Sequence, residues 1–353
     1  MRNAYRPRWP WLLLPAFVVV AGCSGNSSTS SQSNASASSA VSCPVTSVAD
    51  HVLPSVVTIA ATGPGGSGTG SGEVIKSDGY ILTNNHVISI SANGGSVKVT
   101  FADGTSVPAT IVGRDPLTDL AVLKVGQSDN LKPIALGSSD SVQVGEPVIA
   151  LGAPLGLSGT VTSGIVSAMD RTVEVPGEND SSALLVSALQ TDAAINPGNS
   201  GGALVNCNGD LVGVPTAGAT VPSPDGGSSA GSVGLGFAIP VNIAKTISDE
   251  IISTGRVTHA YFGIQTLPLP ADAAVQLGLK GGLFVGGVVA GGPAAKAGLA
   301  QGDVITKING QVAATNVQLQ ELTLTKSPGD TVTIEYIRDG ASHSVTVTLA
   351  KQP

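Results

Sequence analysis

Cysteine, histidine, aromatic side chains and charge are all scarce in this chain. Its 353 residues include 3 Cys and 4 His, with 3% aromatic and 12% charged residues. No cysteine and histidine cluster has the spacing of zinc ligands. A basic excess is also missing. There are 17 Lys and Arg against 24 Asp and Glu, a net charge of -7, and no basic run beyond the first ten positions. That excludes the electrostatic footprint of a nucleic-acid-binding protein. Glycine and proline are plentiful instead, at 46 and 22 residues. Such a chain favours many short strands and turns over long helices. With 42% hydrophobic residues it can still bury a sizeable core, and its length suggests about two domains.

The first 22 residues read as an export signal. MRNAYRPR carries Arg2, Arg6 and Arg8, and WPWLLLPAFVVVAG is an apolar run too short to span a bilayer comfortably. It ends Val20-Ala21-Gly22-Cys23, which resembles a bacterial lipoprotein lipobox, with Cys23 as the lipidated residue. An ordinary signal peptide with an incidental Cys23 is the alternative. Lipid on Cys23 would anchor the chain to a membrane, given more than one acyl chain. Residues 23–44 are Ser- and Asn-rich and read as a flexible tether. Removing Cys23 from the count leaves Cys43 and Cys207 as a natural disulfide pair in an oxidising compartment, the alternative being two free thiols.

From Val45 onward short β-rich runs alternate with turns, among them SVVTIA, GYILT, SVKVTF, LAVLKV, PVIALG and VGLGFAIP. This spacing suits an all-β barrel or sandwich rather than βαβ units. VNIAKTISDEIISTG, residues 241–255, is the first clear helix: Pro240 precedes it, Ile243, Ile247 and Ile251 share a face, and Gly255 closes it. A domain boundary follows, giving 45–255, a linker at 256–260, and a second unit at 261–350 with strands and two helical segments, at 293–299 and about 315–325. Pro222 to Gly231 reads as an insertion.

His86 follows a strand in ILTNNHVI, Asp119 precedes one in RDPLTDLAVLKV, and Ser200 lies in TDAAINPGNSGGALV. The order His, Asp, Ser is one in which serine triads occur. A serine hydroxyl needs a base near neutral pH, which imidazole supplies, and the imidazole needs a carboxylate to fix its tautomer. The tetrahedral intermediate needs converging N–H donors. Gly198-Asn199-Ser200 is placed to form that oxyanion hole, with the N–H groups of Gly198 and Ser200 as donors and glycine permitting the backbone. Asp115 is a rival carboxylate in a better turn context. GNSGG also matches G-x-S-x-G, but strand-like runs follow Ser200 and the later His259 and His343 fall in the linker and second unit, which rejects an esterase elbow. Gly63 to Gly68 matches G-x-G-x-x-G but runs into a strand, which rejects a dinucleotide loop. His51 reads as a surface residue of an entry helix. Six residues before Ser200 stands Ala194, not an acid, and Asp192 is off register; the first-residue pocket should therefore take an apolar side chain.

ILTNNHVI, DPLTDLAVLKV and TDAAINPGNSGG resemble the three catalytic motifs of the HtrA/Deg serine proteases, over nearly all of 45–350. The resemblance implies a mainly β fold: a chymotrypsin-like double β-barrel followed by an α+β PDZ domain. YFGI, residues Tyr261, Phe262, Gly263 and Ile264, looks like the PDZ carboxylate-binding loop. The family departs from this chain at Ala203, where proline is common, and at 62–72, where some members carry a long regulatory loop. The short loop argues against temperature-switched or cage-forming behaviour. What the family implies is an extracytoplasmic endopeptidase acting on unfolded or misfolded proteins, with peptide C-termini as PDZ partners, a homotrimer as the common assembly, and no metal or organic cofactor. The rival class is a catalytically silent PDZ scaffold or holdase.

Overall fold

The computed structural model describes residues 43–126, 131–153, 159–178, 182–218 and 232–353. Cys23, the tether up to residue 42 and the 222–231 insertion lie outside them. An entry helix α1 (Val45–Val52) turns Val48 and Val52 inward and leaves His51 exposed. The first barrel comprises β1 (Val56–Gly63), β2 (Gly66–Val74), β3 (Tyr80–Asn84), β4 (Ser96–Thr100), β5 (Ser106–Asp115) and β6 (Leu120–Val125), with a one-turn helix α2 (Asn85–Ile88) after β3. It closes in the order β1-β2-β3-β6-β5-β4. The second comprises β7 (Pro147–Gly152), β8 (Thr160–Pro176), β9 (Ser182–Thr191), β10 (Ala203–Val205), β11 (Leu211–Gly218) and β12 (Gly236–Pro240), closed as β10-β11-β12-β9-β8-β7.

Each barrel fills its interior with alternate side chains of its strands. Val57, Ile59, Ile81, Val99 and Leu123 fill the first; Val148, Ala150, Val166, Leu189 and Leu204 fill the second. A third cluster joins them: Leu82, Leu120 and Val122 from the first barrel meet Leu185, Val214 and Ile239 from the second. Helix α3 (Val241–Thr254) seals this seam with Ala244, Ile247 and Ile251. It ends as its sequence requires, on Gly255 at φ +77°, whose N–H returns to Ile251 O at 2.8 Å. Truncating the fully buried Ile251 to alanine would cost about 2–5 kcal/mol. Cys43 and Cys207 form a disulfide across 164 residues, tying the start of α1 to the segment just after β10.

The G-x-G-x-x-G run forms the β1–β2 hairpin, with Gly63 opposite Gly66. Two stretches were less legible. The strand character of β9 is missing from the sequence reading, and β8 runs past the strand-like run TVTSGIVSAM (160–169) to Pro176.

The third unit is a sheet ordered β14-β15-β16-β18-β19, built from β14 (Ile264–Pro268), β15 (Leu283–Val288), β16 (Val304–Ile308), β18 (Thr331–Arg338) and β19 (Ala341–Thr348). β13 (Ala260–Tyr261) pairs with β20 (Ala350–Lys351), and β17 (Gln311–Val312) with β16. Helices α4 (Ala271–Gln276), α5 (Pro293–Lys296) and α6 (Val317–Thr325) flank it. Its core is separate, built on Phe262, Leu283, Val285, Ile305, Val332 and Ile334. In this unit the exposed His343 stacks on Tyr336, the ring centroids 5.3 Å apart. Buried Asp303 would have its carboxyl raised by burial, but hydrogen bonds from Arg338 and the Ala300 N–H outweigh that and hold it below the ordinary range.

Candidate functional site

The site forms where the barrels meet. β3 ends at Asn84 and the chain folds at once into α2, which projects His86 from the first barrel. Asp119 occupies the residue before β6 with φ +58°, a left-handed conformation that a short polar side chain tolerates. The pair is held at two points: His86 N–H donates to Asp119 Oδ1 at 2.9 Å, and His86 Nδ1 lies 2.8 Å from Asp119 Oδ2. The Asp119 carbonyl accepts from Asn85 N–H at 3.0 Å and from Asn84 Nδ2 at 2.8 Å. Asp119 is thus fixed at both ends and 3% exposed, while the His86 side chain is 39% exposed. A carboxylate on Nδ1 selects the tautomer whose Nε2 lone pair is available as a base.

A further cluster steadies the histidine turn. Asn85 Nδ2 donates to Glu178 Oε1 at 2.7 Å, and the Arg114 guanidinium donates to Asn85 Oδ1 at 2.9 Å and to Glu178. It spans both barrels, since Glu178 follows β8.

Ser200 comes from the second barrel, on the turn into β10. Gly198 at φ +101° and Gly201 at φ +77° bracket it. Gly201 can be nothing else: a Cβ there would stand 2.4 Å from Ser71 O and from Thr83 Oγ1. The turn is sewn to the first barrel by Ser71 of β2. Ser71 N–H donates to Ser200 O at 2.9 Å and its hydroxyl to Gly198 O at 2.6 Å, while Ala153 N–H donates to that hydroxyl at 2.8 Å. Ser71 is the residue that sequence reading missed; in a glycine-rich run nothing local marks it.

The Gly198 and Ser200 N–H groups have no acceptor among the described residues, as oxyanion donors require. Asn199 differs from its expected membership of that hole. Its N–H closes a turn onto Asn196 O at 2.9 Å, and its buried side chain reaches Ala194 O at 3.3 Å, so it props the turn and donates nothing to the cleft. The Ser200 hydroxyl donates to Thr216 O at 3.0 Å. Asp192 stays off this site, its carboxylate accepting from Ile165 N–H at 2.7 Å.

The rival carboxylate has another partner. Asp115 Oδ1 lies 2.8 Å from His259 Nε2, with both side chains buried. His259 belongs to the segment leading from α3 into the third unit. Next to this contact, a cavity of about 340 Å³ is lined by Thr118, Leu184, Ile243 and Ile247 and by Leu324 and Thr325 of α6.

In the third unit the four YFGI residues run from the end of β13 through a two-residue turn into β14. Phe262 points into the core and its carbonyl accepts from Ala294 N–H at 3.0 Å. Gly263 takes φ +72° and its carbonyl accepts from Val289 N–H at 2.9 Å. Tyr261 is half-buried on β13, and Ile264 opens β14 at the edge of the sheet. Among the described residues no three His, Cys, Asp or Glu side chains gather as a metal would need. No described helix is long and apolar enough to cross a membrane.

Paired six-stranded barrels with a serine, a carboxylate-bound imidazole and glycine-shaped N–H donors at their junction define the chymotrypsin-like class of serine peptidase. Comparisons with known proteins narrow this. Residues 70–214 match the family model of the trypsin-like peptidase domain, and residues 261–349 that of the PDZ domain. The chain is 46% identical over 314 residues to the serine protease PepD of Mycobacterium tuberculosis, covering 87% of this chain and 66% of that protein. It is 40% identical to the periplasmic serine endoprotease DegP of Escherichia coli, covering 79% of this chain and 56% of that one. The solved structure of the HtrA-type protease AlgW with a decapeptide superposes with a TM-score of 0.68 at 34% identity, covering 88% of this chain and 99% of that one. The chain belongs to the HtrA-type serine proteases, with one trypsin-like domain and one PDZ domain. It spans between about half and two-thirds of the length of these curated relatives.

Proposed function

We propose that this chain is an exported serine endopeptidase that hydrolyses unfolded or misfolded proteins after apolar residues. His86, Asp119 and Ser200 are its catalytic groups, and the Gly198 and Ser200 N–H groups stabilise the oxyanion. The observation that carries this reading is the two-point hold of Asp119 on His86, opposite a serine whose turn is stitched to the same barrel.

In the reaction, Ser200 Oγ swings from Thr216 O to His86 Nε2, which takes its proton as Oγ attacks the scissile carbonyl. The imidazolium formed is stabilised by buried Asp119. His86 then gives the proton to the leaving amine, and water repeats the cycle on the acyl-enzyme. Oriented N–H donors of this kind are each worth about 3–4 kcal/mol of transition-state stabilisation. Ala194, where a trypsin-type enzyme has its acid, supports the apolar preference.

The PDZ domain binds peptide C-termini at the Tyr261–Ile264 turn and adds them as a strand to β14. A lipid on Cys23 holds the enzyme at the extracytoplasmic face of the cell membrane through a flexible tether, and its assembly is a homotrimer. Purified protein beside its Ser200→Ala variant tests the catalytic part. Wild type should degrade an unfolded protein with cuts after apolar residues, and the variant should be inert. Cleavage retained by the variant refutes the assignment of Ser200. Cuts mainly after Arg or Lys refute the apolar preference.

A further inference from the structure

β14 is the edge strand of the PDZ sheet, with β15 on one side only. An edge strand presents unpaired N–H and C=O groups, and an extended peptide binds by pairing with them. Which groups of β14 face outward follows from the ladder. Thr266 stands opposite Val285. Val285 turns both its polar groups toward the other side: its N–H donates to Asp303 O at 2.8 Å, and its carbonyl accepts from Gly302 N–H at 3.0 Å. Thr266 and Val285 are therefore a non-hydrogen-bonded pair, so the N–H and C=O of Thr266 point to the open edge.

That carbonyl is already taken. Asn316 Nδ2 donates to Thr266 O at 3.1 Å, and the Thr266 hydroxyl donates to Asn316 Oδ1 at 2.8 Å. Asn316 is the residue before α6, a position where an asparagine ordinarily caps its own helix. Here it makes no cap bond. Gln318 reaches back instead, its Oε1 accepting from Ala314 N–H at 2.7 Å and from Thr315 N–H at 3.3 Å. The Asn316 side chain is thus released to imitate a peptide unit on the edge of β14. Both residues are half-buried, so water competes poorly for these bonds.

We infer that Asn316 is a clasp on the peptide groove: its carboxamide occupies the mid-strand acceptor that an incoming strand must use, so a peptide has to displace it and the groove's affinity is set below what its edge could give. This rests on the reading of β14 and the Tyr261–Ile264 turn as the peptide C-terminus site.

The test is binding of a labelled decapeptide with an apolar C-terminal residue to the full chain carrying Ser200→Ala, which prevents cleavage. The same peptide as its C-terminal amide is the control. Asn316→Ala removes both clasp bonds and should bind the free-acid peptide about two- to tenfold tighter, the range set by net hydrogen-bond energies. Thr266→Val keeps the volume and removes only the hydroxyl bond, so it should tighten binding by less, and it decides the matter if Asn316→Ala does not fold. The double variant should bind no tighter than Asn316→Ala alone, because the two bonds form one clasp. Unchanged or weaker binding by Asn316→Ala would overturn the clasp and make Asn316 a bystander or a peptide contact. Absence of free-acid binding by every form, or equal binding of the amide, would instead overturn the peptide C-terminus reading, and the clasp with it.

Discussion

The aspartates of two histidine–aspartate pairs stand four residues apart along one segment, and the two pairs are built differently. His86 with Asp119 and His259 with Asp115 have the same 2.8 Å contact. The first engages Nδ1, leaving Nε2 toward the cleft, and its imidazole is 39% exposed. The second engages Nε2, and its imidazole is 7% exposed. A base must offer the far nitrogen to a substrate-side group, and only His86 does. His259 ties the approach to the PDZ domain onto the loop that ends in Asp119. Chemistry therefore follows from the nitrogen that is left over and from exposure, not from the pair itself.

That contrast can be broken by exchanging which property each pair controls. His86→Ala should lower kcat/KM on an unfolded substrate by about 10⁵–10⁶ even where the variant is fully folded, with a stability cost of about 1–3 kcal/mol because buried Asp119 Oδ2 loses its partner. Asp119→Asn keeps the shape but favours the wrong tautomer, with a loss in kcat of about 10⁴. Asp115→Asn and His259→Ala should instead leave turnover nearly intact. Each leaves a buried polar group short of a partner, costing about 1–3 kcal/mol in urea unfolding, with turnover within about tenfold of wild type below the transition. A loss of turnover as large as that of Asp119→Asn, at full stability, would erase the distinction.

A third buried acid sharpens the comparison because it has no base. Glu73 of β2 is fully buried, and neither carboxylate oxygen has a hydrogen-bond partner among the described residues. Burial pushes its carboxyl well above the usual 4.5. Its sign is fixed by linkage. The folded state keeps the proton that the unfolded state releases, so stability is full below the ordinary value and falls as pH rises toward the folded one. Glu73→Gln should flatten that slope. Urea midpoints at pH 5 and pH 8 measure it, and an equal slope in both proteins would deny the effect.

The motifs around His86, Asp119 and Ser200 stand out in the sequence because each is local: a strand end before His86, a turn before Asp119, and glycines forced around Ser200 by close approach. The double barrel was legible from strand spacing. What was not legible depends on residues far apart. β9 is buried on both faces along Ala183–Val186, so it lacks the alternation that betrays a strand. The run GSGTGSG reads as a loop, yet it is a strand, since a side chain at Gly70 would collide with Val87 and one at Gly72 with Ile59 and Ile81. The choice between Asp115 and Asp119 rests on His259, 144 residues from Asp115, which no spacing rule connects. Asn199 looked like an oxyanion residue because it sits between two of them; only the turn onto Asn196 shows that its N–H is committed.

The central claim is that Ser200 is a nucleophile activated by His86. The most direct measurement is reaction of the mature protein with a fluorophosphonate probe, with the adduct mapped by peptide mass, for wild type, Ser200→Ala and His86→Ala. The account predicts one adduct, on Ser200, in wild type alone. An adduct that survives in Ser200→Ala, or labelling of Ser200 that is undiminished in His86→Ala, would contradict it.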